Sequence, residues 1–190
     1  IALISFALKI PITEENIQKK IPFLFSNRTY FFKTLSIFKK NILLIPGASF
    51  KSKCYPVEKF AEVATEIDAN FLIIWGNQKE KIMADKIKVL SPKVIICEKL
   101  SLDALISLIS QVDFVLGSDT GPTHMAWALN KSSITLFGST PGHRNSYITK
   151  NNRIIESNSE VNPYKIDKND YSIQDIDVHE IVQVYEDLLK

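Results

Sequence analysis

From residue 41 onward, short apolar runs are separated by segments with a helical apolar stripe, and this exchange repeats down the chain. Residues 41–45, 70–75, 93–97, 113–117, 133–137 and 153–157 read as strands. They show no polar alternation, as expected of parallel strands covered on both faces. Residues 56–67, 80–90, 101–110 and 122–129 read as the helices between them, and 172–188 as a C-terminal helix. In 56–67 the stripe is Phe60, Val63, Ala64 and Ile67, with Pro56 at a favoured first position. Parallel neighbours need crossovers of this length, whereas antiparallel ones can be joined by a tight turn. The pattern therefore predicts an α/β fold, a doubly wound parallel sheet with helices on both faces.

Residues 1–40 lack this regularity. Residues 1–8 read as the end of a buried helix, broken by Pro11, and Thr13 reads as the cap of a short helix. Residues 22–25 read as extended and 28–38 as an amphipathic helix. The region is expected to be a connector, with 41–190 forming the sheet. The chain has 190 residues and opens at Ile1 without a methionine, so a fragment with its N-terminal part upstream is expected. No signal peptide pattern or membrane-length apolar run appears. The net charge of +2 makes no case for a nucleic-acid binder. Lysines do lean towards the first half, either as a solvated face or as a weak attraction to an anionic surface. Cys54 and Cys97 suit neither a zinc site nor a disulfide framework, so a reducing compartment is the default, with Cys97 a core residue.

Candidate chemistry lies where strands give way to helices, because open parallel sheets bind ligands at the carboxyl ends of their strands. The stretch Ser118-Asp119-Thr120-Gly121-Pro122-Thr123-His124 follows the fourth strand. Thr120, Gly121 and Thr123 would present backbone N–H groups at a helix N-terminus, which favours an anion. Asp119 would repel a phosphate and fits sugar hydroxyls better, although Asp119 or Thr120 could also simply cap the helix. After the first strand, Ser49 and Lys53 could meet a phosphate, Lys53 as a point charge. Glu80, after the second strand, either complements its helix dipole or accepts hydrogen bonds from ribose hydroxyls. Leu100 could flank a base or belong to the core. The loop after the fifth strand carries Thr140, His143 and Arg144. No cluster has metal-ligand spacing and no nucleophile elbow is present.

These residues resemble the heptosyltransferase family of lipopolysaccharide core assembly, and most of all its type I members. The resemblance rests on the Ser118–His124 stretch and on the loop ending Lys53-Cys54-Tyr55-Pro56. Trp75-Gly76 with Glu80 and the Phe137-Gly138-Ser139-Thr140-Pro141 loop also fit. It covers about residue 41 to the C-terminus and implies the C-terminal, Rossmann-like half of a glycosyltransferase-B architecture. Residues 1–40 would then be the connector and remnant of the N-terminal domain, and 41–190 the nucleotide-sugar-binding domain. The implied reaction is inverting transfer of heptose from ADP-heptose to a lipid A-Kdo acceptor. By resemblance, Ser49 and Lys53 contact the donor diphosphate or sugar, Glu80 the ribose and Leu100 the adenine. Asp119 holds the heptose, and Thr120, Gly121 and His124 the diphosphate and nearby sugar oxygens. Lys53 and Asp119 are the implied catalytic pair, and Thr140, His143 and Arg144 a sugar or acceptor loop. No metal or cofactor is implied, and the location is cytoplasmic, at the inner face of the inner membrane. The family's general base lies in the N-terminal domain, so the chain alone is expected not to transfer. Ala48 also departs from relatives that carry a hydroxyl there. A nucleotide-sugar epimerase and a non-catalytic nucleotide-binding module are the alternatives: product analysis separates transfer from epimerisation, and any turnover excludes the module.

Overall fold

The computed structural model describes residues 6–162 and 164–189. A short helix α1 (Glu14–Gln18) precedes the sheet, closed by a capping box between Thr13 and Asn16. The strands are β1 (Asn41–Ile45), β2 (Asn70–Ile73), β3 (Ile95–Ile96), β4 (Phe114–Ser118), β5 (Ser132–Phe137) and β6 (Asn152–Glu156). The helices after α1 are α2 (Val57–Glu66), α3 (Gln78–Leu90), α4 (Leu102–Gln111), α5 (Gly121–Ala128), α6 (Gly142–Asn145) and α7 (Val178–Leu188). The strand order is β3-β2-β1-β4-β5-β6, with every pairing parallel.

The two faces of the sheet follow from the two-residue period of a strand. Ile42, Leu44, Phe71, Ile73, Phe114 and Leu116 face one core, under α2, α3 and α7. Leu43, Ile45, Leu72, Ile74 and Val115 face the other, under α4 and α5. Because both faces are covered, each apolar residue of the central strands is buried, which is why the sequence runs apolar without a break. The chain walks outward from β1 to β3 on one face and returns to β4 on the other. That reversal leaves β1 and β4 side by side with their following loops diverging, and a crevice opens between them.

The close pairing at this point has a steric requirement. Gly117 on β4 lies opposite Ile45 on β1. A Cβ there would sit 2.8 Å from Ile45 Cβ and 2.8 Å from Thr123 Oγ1. Only glycine lets α5 fold back so tightly after β4.

Several boundaries differ from the sequence reading. Residues 28–38 form no helix: aromatic and β-branched residues crowd there, and these are weak helix formers. Side-chain amides from the sheet hold the segment instead, with Asn70 Nδ2 donating to Thr34 O at 2.8 Å and Asn41 Nδ2 to Ser36 O at 3.0 Å. Pro56 is the N-cap residue of α2 rather than its first residue. The third strand shrinks to two residues. Residues 172–188 are not one helix. A 3-10 turn (Ser172–Asp175) gives way to an extended Ile176, and Asp177 caps α7 by accepting from His179 N–H at 2.9 Å. This tail supports the site edge of the sheet. Ile176 O accepts from Tyr55 Oη at 2.9 Å and Lys59 Nζ at 2.7 Å, while Ile173 packs where a Cβ on Gly138 would lie. The helix expected over residues 1–8 falls mostly outside the described residues; residues 6–8 are helical.

Gly117→Ala is expected to lower stability by about 1–3 kcal/mol, the usual cost of inserting a group into a packed interior. The readout is the denaturant midpoint, and an unchanged midpoint would contradict the close β1–β4–α5 packing.

Candidate functional site

The loops leaving β1, β4 and β5 meet at the carboxyl edge of the sheet around one carboxylate. Asp119 follows directly on β4 and is only 6% exposed. Its Oδ2 accepts from Lys53 Nζ at 2.6 Å, from Thr140 Oγ1 at 3.0 Å and from Asn145 Nδ2 at 3.2 Å. Its Oδ1 lies 2.8 Å from His124 Nε2. Lys53 ends a 3-10 turn (Lys51–Lys53) and is 9% exposed. Burial alone would raise the pKa of the Asp119 carboxyl. The hydrogen bonds from His124 and Lys53, the Lys53 charge and the Thr140 hydroxyl outweigh that and hold it well below the usual carboxylate range. A carboxylate offers about two acceptor positions on each oxygen; here three donors crowd Oδ2, while His124 leaves capacity on Oδ1.

The turn into α5 is fixed from within. Thr123 Oγ1 donates to Ser118 O at 2.9 Å, and Ser118 Oγ accepts from Tyr55 N–H at 3.3 Å. Thr120 is the N-cap residue with extended dihedrals and makes no side-chain cap. Of the three N–H groups expected to face a ligand, that of Thr123 is taken by Thr120 O at 3.1 Å. Asp119 spends its carboxylate on side chains, so neither residue caps α5 in the way the simpler reading allowed.

Beside this network lie two cavities with a common wall of Gly47, Glu80 and Thr120. One, of about 250 Å³, has an apolar end formed by Ile45, Ile74, Trp75, Leu100, Leu105 and Pro122. Trp75 is fixed there by its indole N–H, which donates to Cys97 O at 2.9 Å. The other, of about 860 Å³, is open and polar, with Ser49, Lys51, Cys54 and Asn77 in its lining. Glu80 stands between them. Its Oε2 accepts from Gly76 N–H at 2.6 Å and its Oε1 from Asn77 Nδ2 at 2.7 Å. That leaves acceptor capacity on both oxygens. A Cβ on Gly47 would lie 2.5 Å from Glu80 Cγ, so glycine is what admits this side chain across the loop after β1.

The candidate residues thus fall into two groups. Lys53, Asp119, His124 and Thr140 join in one network; Ser49, Glu80, Leu100 and Thr120 line the cavities. Gly121 is exposed at the start of α5. His143 and Arg144 are exposed on α6 and lie outside both groups. Asn145 and Asn77 are part of the arrangement and were not singled out from the sequence. Asn145 carries no local signal, being one more polar residue in a polar loop. Asn77 could have been found as an N-cap, since it precedes a helix and accepts from Lys79 and Glu80 N–H. Cys97 is buried and its thiol is pushed up to about 11 by burial, which fits a core residue. Among the described residues no group of three or more His, Cys, Asp or Glu side chains could hold a metal ion.

A six-stranded parallel sheet of this order, with its crevice at the β1–β4 reversal, defines a doubly wound α/β protein of the Rossmann type. Glycosyltransferase family 9 (heptosyltransferase) matches residues 5–172, and the chain belongs to that family. It is 37% identical over 160 residues to lipopolysaccharide heptosyltransferase 1 of Campylobacter coli, covering 79% of this chain and 47% of that protein. Among solved structures, the fold matches E. coli heptosyltransferase WaaC with ADP at a TM-score of 0.67 and 20% identity, over 79% of this chain and 44% of that one. E. coli ADP-heptose LPS heptosyltransferase II matches at 0.68 and 21% identity, over 82% and 48%. The chain therefore spans about half the length of the relatives it matches. No helix among the described residues is long and apolar enough to cross a membrane.

Asp119→Asn should cost about 3–5 kcal/mol, the usual penalty for breaking a buried pair and leaving one charge alone. A depressed folded pKa contributes stability that is present above the unfolded value, about 3.9, and is lost as pH falls below it. The gap between wild type and Asp119→Asn is therefore expected to be constant at neutral pH and to shrink below about pH 4. Denaturant titrations across pH measure it; a gap that stayed constant into acid would contradict the assignment.

Proposed function

We propose that this chain is the donor-binding part of an enzyme that transfers heptose, with inversion, from ADP-heptose to a Kdo-bearing lipid A acceptor. The supporting observation is the order of surfaces along the crevice. An apolar slot sized for part of a nucleotide comes first, then a carboxylate with spare acceptor capacity, then a helix N-terminus, then a buried cation. That order suits base, ribose, diphosphate and sugar in turn. Leu100 and Trp75 offer faces to the adenine, and Glu80 accepts from the ribose hydroxyls. Thr120, Gly121 and the positive end of α5 favour the diphosphate. Ser49, Lys53, Asp119, His124 and Thr140 surround the leaving-group and sugar end.

In the reaction the acceptor hydroxyl oxygen attacks the anomeric carbon while the bond to the β-phosphate oxygen breaks, and ADP leaves with the bonding electrons. The acceptor proton passes to a base in the other half of the enzyme. The residues of this chain stabilise the charge that grows on the departing phosphate. No step requires a metal. The same reading assigns residues 1–40 to the connector and 41–190 to the donor domain. Work on a lipid-linked acceptor fits a cytoplasmic enzyme in peripheral contact with the inner membrane.

The test is product analysis with the intact protein, ADP-heptose and a Kdo-lipid acceptor. Heptosylated acceptor is expected; an epimerised nucleotide sugar, or no turnover, would overturn the reading. Calorimetry of the 190-residue chain should show weak ADP binding and no transfer, because half of the cleft is contributed elsewhere. Steady-state kinetics of the intact enzyme separate the roles of two residues. Lys53→Ala should lower turnover roughly tenfold to a hundredfold, since a charged hydrogen bond worth about 1.5–3 kcal/mol strengthens as the phosphate charge grows. Glu80→Ala should raise the Michaelis constant for donor and leave turnover nearly unchanged, because the ribose lies far from the breaking bond. A Lys53→Ala effect confined to the Michaelis constant, or a Glu80→Ala effect chiefly on turnover, would overturn the division.

A further inference from the structure

We propose that Lys51 and Lys79 form a clamp on the donor's diphosphate in the larger cavity. The inference rests on the donor-binding reading above and adds two residues to it. It begins from a balance of charge. The diphosphate of a nucleotide sugar carries about two negative charges, and ADP departs with roughly one more. Lys53 can donate to a phosphate oxygen, but its charge is already matched by Asp119, which it meets at 2.6 Å with both residues buried. The pair as a whole is neutral, so it offers a local donor and little net attraction. The helix N-terminus at Thr120 contributes only about half a charge. Most of the neutralising charge has to come from elsewhere in the cleft.

The cavity of about 860 Å³ has that charge in its walls. Of its lining residues only Lys51, Lys79 and Glu80 are charged, two cations against one anion. Glu80 receives Gly76 N–H and Asn77 Nδ2, and its remaining capacity faces the ribose. Lys51 and Lys79 meet no carboxylate among the described residues, whereas Lys81, two residues further along α3, is paired with Asp85. Two like charges at one empty cavity repel each other, and an anion between them turns that repulsion into attraction.

The backbone explains how the two lysines come to share the cavity. The 3-10 turn Lys51–Lys53 sends its lysines to different places. Lys53 is 9% exposed and turns inward to Asp119, while Lys51 is exposed and lines the cavity. Lys79 arrives from the first turn of α3, so the clamp joins the loop after β1 to the helix after β2. Ser49 and Thr120, assigned above to the sugar and diphosphate end, line the same cavity. Lys53 then acts locally at the breaking bond, and Lys51 and Lys79 supply the net charge that draws the diphosphate in.

The test is calorimetry of ADP binding to the intact protein in wild type, Lys51→Met, Lys79→Met, the double variant and Lys86→Met. Lys86 lies on α3 outside the cavity and controls for loss of net charge alone. Each single variant is expected to weaken ADP about twofold to fivefold, and the double variant about fivefold to twentyfold, the scale of charge pairs that stay in contact with water. The gap between wild type and the double variant should narrow as salt is raised, because an open cavity is screened. Lys86→Met should bind ADP as wild type does. If the double variant binds ADP as tightly as wild type, the clamp is refuted and donor binding stands. A loss that is equal at low and high salt, or equally large in Lys86→Met, also refutes it. Unchanged ADP binding with a raised Michaelis constant for the Kdo-lipid acceptor would give the cavity to the acceptor and overturn the clamp. Failure of wild type to bind ADP at all would overturn the donor-binding reading, and the clamp with it.

Discussion

The buried ion pair between Lys53 and Asp119 is the constraint on which the rest of the site depends. It joins the loop after β1 to the loop after β4 across the reversal in strand order, and it does so out of water. A buried charge is tolerable only when it is paired and its remaining hydrogen-bonding capacity is filled. That requirement draws in His124 from α5, Thr140 from the loop after β5 and Asn145 from α6. Three stretches that are distant in sequence, around Lys53, Asp119–His124 and Thr140–Asn145, acquire fixed relative positions from the demands of one carboxylate. An apolar contact of similar area would have been non-directional and would have left these loops freer to slide.

The two acids of the site are built on opposite plans. Asp119 is enclosed and meets four donors, three of them on Oδ2, and its ionisation is enforced by its neighbours. Glu80 is half-exposed and receives one hydrogen bond on each oxygen, both from its own helix-start region. The first organises its surroundings before any ligand arrives; the second has capacity in reserve at a cavity wall. Glycine makes both placements feasible, Gly117 by letting the strands and α5 close up, and Gly47 by clearing the path of the Glu80 side chain.

Much of the fold was legible because burial on both faces writes itself directly into composition. The central strands were readable almost to the residue: 41–45 was read and Asn41–Ile45 is formed. The reading failed where tertiary hydrogen bonds decide the backbone. Residues 28–38 have helix-like spacing of apolar groups, yet amides of Asn41 and Asn70 fix them in an irregular path. Residues 172–188 look like one helix, yet Asp177 restarts it after a break. In the site, Asp119, Lys53 and Glu80 stood out because strand ends converge and because charged residues are unusual there, whereas Leu100 could as easily have been core and gained its place only by resemblance. The crowding of Asp119 Oδ2 was not readable, since it depends in part on Asn145, which only folding brings within reach. Trp75 could be quoted from its strand end, but not its indole bond to Cys97 O.

The tail adds a dependence of a different kind. Ile176 O receives Tyr55 and Lys59 from the β1 side, and Ile173 lies against Gly138 from the β5 side. Both residues come after residue 172, where the family match stops. A stretch that follows every strand in sequence is thus the wedge between the two loops that carry Lys53 and Thr140. The site is therefore braced from outside the sheet: a chain cut after β6 would keep every strand and lose the contacts that back these two loops.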